Sequence, residues 1–382
     1  MLGPPDEEAE AMIKPFEIAV PAETMAELRK RLAATRWPYG VTEDGGMPLG
    51  EMRELVRYWQ EEFDWDARQR ELNRLPHFQA HIDGQQIHFL HQRAADAGAP
   101  PLLLLHGWPG SFVEMLAVLP LLARSFDVVV PSLPGYGFSA PAAAAGMSNA
   151  RMAELMAQLM AALGYERFGA QGGDWGAGIA SWLAAKFPNR LLGIHLNYIP
   201  GSYAPAPDPP PSAAEQEFLA DRAAWLEASG AYGHVQRTRP LTLAYGLSDS
   251  PAGLAAWILE KFREWADPAS RLPLDTLLTN VTLYWVTNSI APSVRLYLES
   301  VQTPLRFAAG ERIAVPCGIA RFPYEAPFPP RSWVDRVYDV RRWTEMPRGG
   351  HFAALEAPEL LAADVAAFFA DVTEGGVNRP TR

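Results

Sequence analysis

The chain is poor in cysteine, in basic residues and in long apolar runs. Cys317 is its single cysteine, which rules out an intrachain disulfide, and no Cys/His grouping has zinc-ligand spacing. A reducing cytosol is the expected compartment. Lysine and arginine number 33 against 44 acidic residues, a formal charge of −11. Phosphate recognition needs clustered cations that release counterions, so nucleic acid is not an expected partner. No run approaches the roughly eighteen uninterrupted apolar residues of a membrane-crossing helix. The acidic stretch 1–10, expected to be disordered, has neither the basic nor the apolar region of a secretion signal. The expectation is a cytoplasmic protein with no membrane anchor, no metal and no cofactor.

What is present is a large apolar fraction. At 382 residues, 48% hydrophobic and 20% charged, the chain can bury one large core with embellishments, or two ordinary ones. Met25, Leu28 and Leu32 recur at helical spacing and stop before Pro38; Met52, Leu55, Val56, Trp59 and Phe63 mark a second amphipathic helix. From residue 78 the period changes. Runs 78–82 and 86–91 flank Asp83-Gly84, a pair that tolerates the positive φ of a hairpin turn. Short, wholly apolar runs at 102–105 and 128–130 follow, separated by a helical pattern over 112–123. Strands apolar on both faces imply a parallel sheet covered by helices. Helix 152–163, strand 167–171, helix 177–186 and strand 192–196 continue the alternation. A proline-rich stretch, 200–211, and a helical block to about residue 300 interrupt it before strands 312–318 and 337–343. The fold class is α/β: a mostly parallel sheet with helices on both faces and a helical insertion placed as a lid.

The chemistry concentrates at three points. Gln171-Gly172-Gly173-Asp174-Trp175-Gly176 lies between a predicted strand and helix, the setting of a nucleophile elbow, with aspartate where serine usually stands. Small residues at 172 and 176 let such a turn close around a strained residue. His106-Gly107-Trp108-Pro109-Gly110 follows the first parallel strand, where an oxyanion hole receives its first donor. His351 follows Arg348-Gly349-Gly350 after the last strand. Each feature alone has an ordinary reading, as a helix cap, a glycine turn and a surface histidine. Together they stand in the chain order nucleophile, acid, histidine.

Aspartate in place of serine changes the reaction. A carboxylate is anionic at neutral pH and can attack an electrophilic sp³ carbon without a base. The resulting ester carbonyl belongs to the enzyme, so water activated by His351 can cleave it against the N–H groups of Trp108 and Trp175. Serine attacking an epoxide would form an ether, a dead end. The orienting acid for His351 is among Glu325, Asp335, Asp339 and Asp249; Glu325, on the loop after strand 312–318, is favoured.

The sequence resembles the epoxide hydrolase family of the microsomal type. The matching strings include Thr35-Arg36-Trp37-Pro38, Tyr58-Trp59 with Phe63-Asp64-Trp65, Ile82-Asp83-Gly84, His106 to Gly110, Gly172-Gly173-Asp174, Asp249-Ser250-Pro251, Arg321 to Glu325, and Gly349-Gly350-His351-Phe352. The resemblance implies an α/β-hydrolase fold: an N-terminal segment (1–76) wrapped on the core, core parts at 77–200 and 304–382, and a helical lid at 201–303. It implies Asp174 as nucleophile, His351 as base and Glu325 as its partner. It also implies two lid tyrosines that protonate the epoxide oxygen; these fall on Tyr232 and Tyr297, with Tyr245 and Tyr284 as spare candidates. Animal members carry a membrane anchor that this sequence does not show, so their location is not carried over.

The expected partners are a hydrophobic epoxide and water, with Trp108, Trp175 and Phe352 at the substrate; homodimer formation is left open. Leu254, Trp257, Ile258 and Trp285 read either as further substrate contacts or as core. A haloalkane dehalogenase is the nearest rival, its halide held by the indoles of Trp108 and Trp175. A non-catalytic binding protein on the same fold is the rival from another class. A serine esterase would need a Gly-x-Ser-x-Gly string, and none occurs.

Overall fold

The computed structural model describes residues 13–40, 42, 45–200, 204–325 and 327–377. The acidic lead expected to be disordered, residues 1–10, lies outside them. Among the described residues nine strands form one sheet: β1 (Lys14–Pro15), β2 (His77–Ile82), β3 (Gln85–Gln92), β4 (Pro101–Leu105), β5 (Asp127–Pro131), β6 (Phe168–Gly172), β7 (Leu191–Leu196), β8 (Ile313–Arg321) and β9 (Tyr338–Glu345), in the order β1-β2-β3-β5-β4-β6-β7-β8-β9. From β5 to β9 neighbours run parallel, whereas β1 to β3 and the β3–β5 junction are antiparallel. The reason lies in side-chain burial. β5 and β6 are buried at every position and β4 at all but its first, as central strands flanked by helices must be. Between β2 and β3, Asp83 and Gly84 take φ of 47° and 74°, the left-handed pair that matches a two-residue hairpin to strand twist.

Helices Ala22–Ala33, Leu49–Glu61 and Trp65–Leu72 precede the hairpin. Asp64 caps the third by accepting from the Ala67 N–H at 2.9 Å. Between β7 and β8 runs a helical layer: Ala213–Ser229, Ala231–Thr238, Pro240–Asp249, Pro251–Trp265, Leu274–Val286 and Ile290–Val301. A capping box at Ser212 and Glu215 starts it, satisfying two N–H groups that would otherwise lack partners.

The N-terminal helices grip this layer. Trp59, 2% exposed, donates its indole N–H to Thr282 at 2.9 Å; the Tyr58 hydroxyl reaches Asp275, and ion pairs join Arg31 to Asp249 and Arg263 to Glu51. Residues 112–123 depart from the expected single helix. A 3₁₀ turn, Phe112–Leu116, and a four-residue helix, Leu119–Leu122, share the stretch, because Pro120 has no N–H to continue a helical ladder and is suited only to a first turn. Among the described residues no helix is long and apolar enough to cross a bilayer.

Candidate active site

The carboxyl end of β6 delivers Asp174. Its φ of 44° is left-handed, a conformation costly for a residue with a side chain and held only where the surroundings dictate it. Two glycines make the turn sterically feasible. A Cβ on Gly176 would collide with the Leu105 carbonyl, and one on Gly172 would strike the backbone of Gly176. The elbow therefore packs on β4 with no room for side chains, and helix Asp174–Lys186 springs directly from it.

The loop after β4 closes over the carboxylate. The Trp108 N–H donates to Asp174 Oδ1 at 2.8 Å, and the Trp175 N–H also favours the ionised form of this carboxyl. Gly107 permits this approach, since a Cβ there would land on the Asp174 carboxylate. Trp108 thus serves through its backbone. Its indole is fully buried, stacked on Tyr232 at 5.6 Å with an interplanar angle of 8°. Burial raises the Asp174 carboxyl above its ordinary range, and the His351 charge and the two N–H donors work against that rise.

The other oxygen, Oδ2, faces His351 Nε2 at 3.7 Å, adjacent but beyond hydrogen-bond length. The opposite ring nitrogen, Nδ1, lies 2.7 Å from Glu325 Oε2. The rival acids lie elsewhere: Asp249 pairs with Arg31, Asp335 with Arg331 and Asp339 with Arg341. Gly349, at φ 103°, turns the chain into the histidine, its N–H held by Asp267 at 2.9 Å, and the His351 N–H donates to the Trp265 carbonyl at 3.1 Å. The ring sits edge-on between Trp265, 5.0 Å away, and Tyr198, 5.9 Å away. Burial disfavours charge on the ring, yet Glu325 and then Asp174 outweigh it and hold the imidazolium up to about 9.

The helical layer brings in the tyrosines. Tyr232, on Ala231–Thr238, and Tyr297, on Ile290–Val301, have ring centroids 6.1 Å apart. Tyr297 sits edge-on to Trp175 at 4.6 Å. Burial pushes both phenols well above the ordinary tyrosine range, so each carries its proton at neutral pH. The spare candidates are disposed otherwise. Tyr284 spends its hydroxyl on the Gly110 carbonyl at 2.9 Å, and Tyr245 is 73% exposed.

These groups line a cavity of about 1130 Å³, to which helix Ala213–Ser229 adds Phe218, Trp225 and Leu226. Trp175, Asp174, Tyr232, Tyr297, Glu325 and His351 all border it. Trp108 and Phe352, expected at the substrate, do not: the Trp108 indole is wholly buried, and the Phe352 ring, 1% exposed, stacks on Phe262 at 4.1 Å behind the histidine. Nor do Leu254, Trp257, Ile258 or Trp285 line it. Leu254 and Ile258 are core, Trp257 donates to Gln236, and Trp285 lies under Arg31. Among the lining residues missed from sequence are Trp265 and Tyr198, which flank His351, and Phe218, Trp225 and Leu226. Trp265 was within reach, seven residues past Ile258 on the same helix. Among the described residues no group of three His, Cys, Asp or Glu side chains could hold a metal ion.

Residues 13–115 match the family described as epoxide hydrolase N terminus, and residues 100–242 the family described as alpha/beta hydrolase fold. Epoxide hydrolase 1 of Oryctolagus cuniculus is 34% identical over 93% of this chain and 88% of its own. The crystal structure of juvenile hormone epoxide hydrolase from the silkworm Bombyx mori superposes with a TM-score of 0.83 at 35% identity, covering 95% of each chain. The epoxide hydrolase structure of Aspergillus niger gives 0.85 at 33%, covering 95% of this chain and 97% of its own. An aspartate on a strained strand-to-helix turn, two facing tyrosines and these matches along nearly the whole chain lead to one conclusion: the chain belongs to the epoxide hydrolase family, cofactor-independent enzymes of the α/β-hydrolase fold.

Proposed function

We propose that this enzyme converts a hydrophobic epoxide to a vicinal diol through an ester on Asp174. The single observation that carries the reading is the Asp174 carboxylate, with Oδ1 held by the Trp108 N–H at 2.8 Å and Oδ2 facing His351 at 3.7 Å. Oδ2 attacks a ring carbon as the carbon–oxygen bond breaks, and Tyr232 or Tyr297 gives its proton to the departing oxygen. An alkoxide is a poor leaving group, which is why a donor is required there. In the ester, Oδ1 becomes the carbonyl oxygen. Water that loses a proton to His351 then attacks Cγ, and the charge that develops on Oδ1 falls where the Trp108 N–H already points, with the Trp175 N–H as the second donor. Glu325 keeps the ring oriented and stabilises its cationic form. The aromatic walls of the cavity support an apolar substrate, and the helical layer serves as the lid that screens the ester from bulk water. A single buried cysteine and the absence of a crossing helix among the described residues support a cytoplasmic location.

The test separates the two steps. His351→Gln removes the base while leaving the nucleophile, so incubation with styrene oxide is expected to raise the intact mass by one substrate. An unmodified mass in a folded variant contradicts the two-step reading.

A further inference from the structure

One cation near the tyrosines has no part in the scheme so far. Lys261, on helix Pro251–Trp265, is 4% exposed. Its Nζ lies 4.8 Å from the centroid of the Tyr232 ring and 5.6 Å from that of Trp265. Glu260 at 2.8 Å and Glu264 at 3.0 Å pair with it, both with side chains 32% exposed, and Glu264 also borders the cavity, where its charge opposes that of the lysine at Tyr232. Lysine is seldom this buried, because its ammonium is strongly hydrated and desolvating it is costly. Surface acids alone do not require burial of their partner. The geometry instead aims the charge at the face of a site tyrosine, where the ring quadrupole attracts a cation and a phenolate ring attracts it more strongly.

We propose that Lys261 is a positioning residue for ring opening, its ammonium on the π face of Tyr232 making that phenol the stronger proton donor to the epoxide oxygen. The inference rests on the reading of Tyr232 as an acid given above. As Asp174 Oδ2 bonds to carbon, the ring C–O electron pair passes to oxygen and the Tyr232 O–H proton follows it. Negative charge is left delocalised over the Tyr232 ring, below Lys261. The phenolate recovers its proton during hydrolysis, when one proton of the attacking water ends on the diol and the other returns to the tyrosine. Lys261 has no comparable contact with Glu325, and it touches neither the nucleophile nor substrate carbon, so its effect falls on ester formation and not on ester hydrolysis.

Single-turnover ester formation and ester decay, followed by intact mass after rapid quenching with styrene oxide, read the two halves separately. Lys261→Met retains the bulk of the stem and removes the charge. It is expected to slow ester formation about tenfold or more while the ester decays at the native rate. Placing 3-fluorotyrosine, a stronger acid, at position 232 of that variant is expected to recover much of the loss, which a merely structural role would not allow. Equal slowing of both halves, an unchanged rate of ester formation, or no recovery with the fluorinated ring overturns the proposal. If Lys261→Met does not fold, Glu264→Gln decides. Loss of this half-exposed anion leaves the cation less neutralised, so ester formation is expected to hold or quicken, and a slower rate overturns the proposal. Native enzyme or His351→Gln that never forms ester refutes the covalent reading instead, and is distinguishable from all of these.

Discussion

At the scale of single residues, the site is a set of charges whose values depend on one another. His351 holds its proton up to about 9 because Glu325 and Asp174 overcome the penalty of burial. In the resting protein near neutrality the ring is therefore an imidazolium, unable to act as a base but suited to keeping Asp174 ionised. In the proposed mechanism, ester formation consumes the Asp174 charge. His351 then loses one of the anions that raised it, its affinity for the proton falls, and the ring becomes a base only when there is an ester to hydrolyse. The sign can be checked with Asp174→Asn, which imitates the loss of charge and suits the left-handed backbone. Titration of the imidazole by NMR should show its midpoint falling from about 9 by roughly one pH unit or more; an unmoved midpoint would mean that Asp174 does not set it. Ester decay in the native enzyme should correspondingly rise with pH through a midpoint below that of the free enzyme.

At the scale of elements, backbone steric fit puts these side chains where they are. Gly107 is the clearest case, because a Cβ there would occupy the Asp174 carboxylate itself. Gly107→Ala is expected to lower kcat/KM roughly a hundredfold or more while the melting temperature changes little. Near-native turnover of styrene oxide by this variant would show that the loop can give way. Part of this constraint was legible in the sequence: small residues at 172 and 176 announced a tight turn at Asp174, the Asp83-Gly84 pair announced the hairpin and unbroken apolar runs the parallel strands, whereas the closeness of Gly107 to Asp174 emerged only with the fold. Glu325 could be preferred over its rivals because a loop after a strand points toward the site, whereas Asp249, Asp335 and Asp339 have arginine partners that no spacing revealed. Residues 112–123 misled because apolar spacing is similar in a helix and in two short turns, and Pro120 was the deciding residue. Helix Pro358–Val377 was passed over although Leu361, Val365 and Phe368 mark its buried face. Lys261 could not have been found, since a lysine on an amphipathic helix reads as solvated until the tertiary fold buries it.

At the scale of the whole molecule, the N-terminal helices link the sheet to the helical layer that carries Tyr232, Tyr297 and Lys261. Surface pairs such as Arg31–Asp249 contribute little in water; the buried grip of Trp59 on Thr282 matters more. Trp59→Ala leaves a cavity and removes the partner of the Thr282 hydroxyl, so chemical denaturation should show a loss of about 3–5 kcal/mol. A loss below 1 kcal/mol would mean that these helices are not integral to the fold. The central claim concerns one bond between the protein and its substrate, and oxygen isotopes follow it most directly. In a single turnover in heavy-oxygen water, peptide mass analysis should find the label in the carboxylate of Asp174 and none in the diol. Label in the diol with an unlabelled Asp174 would contradict the account, because water would then have attacked the epoxide without an ester between them.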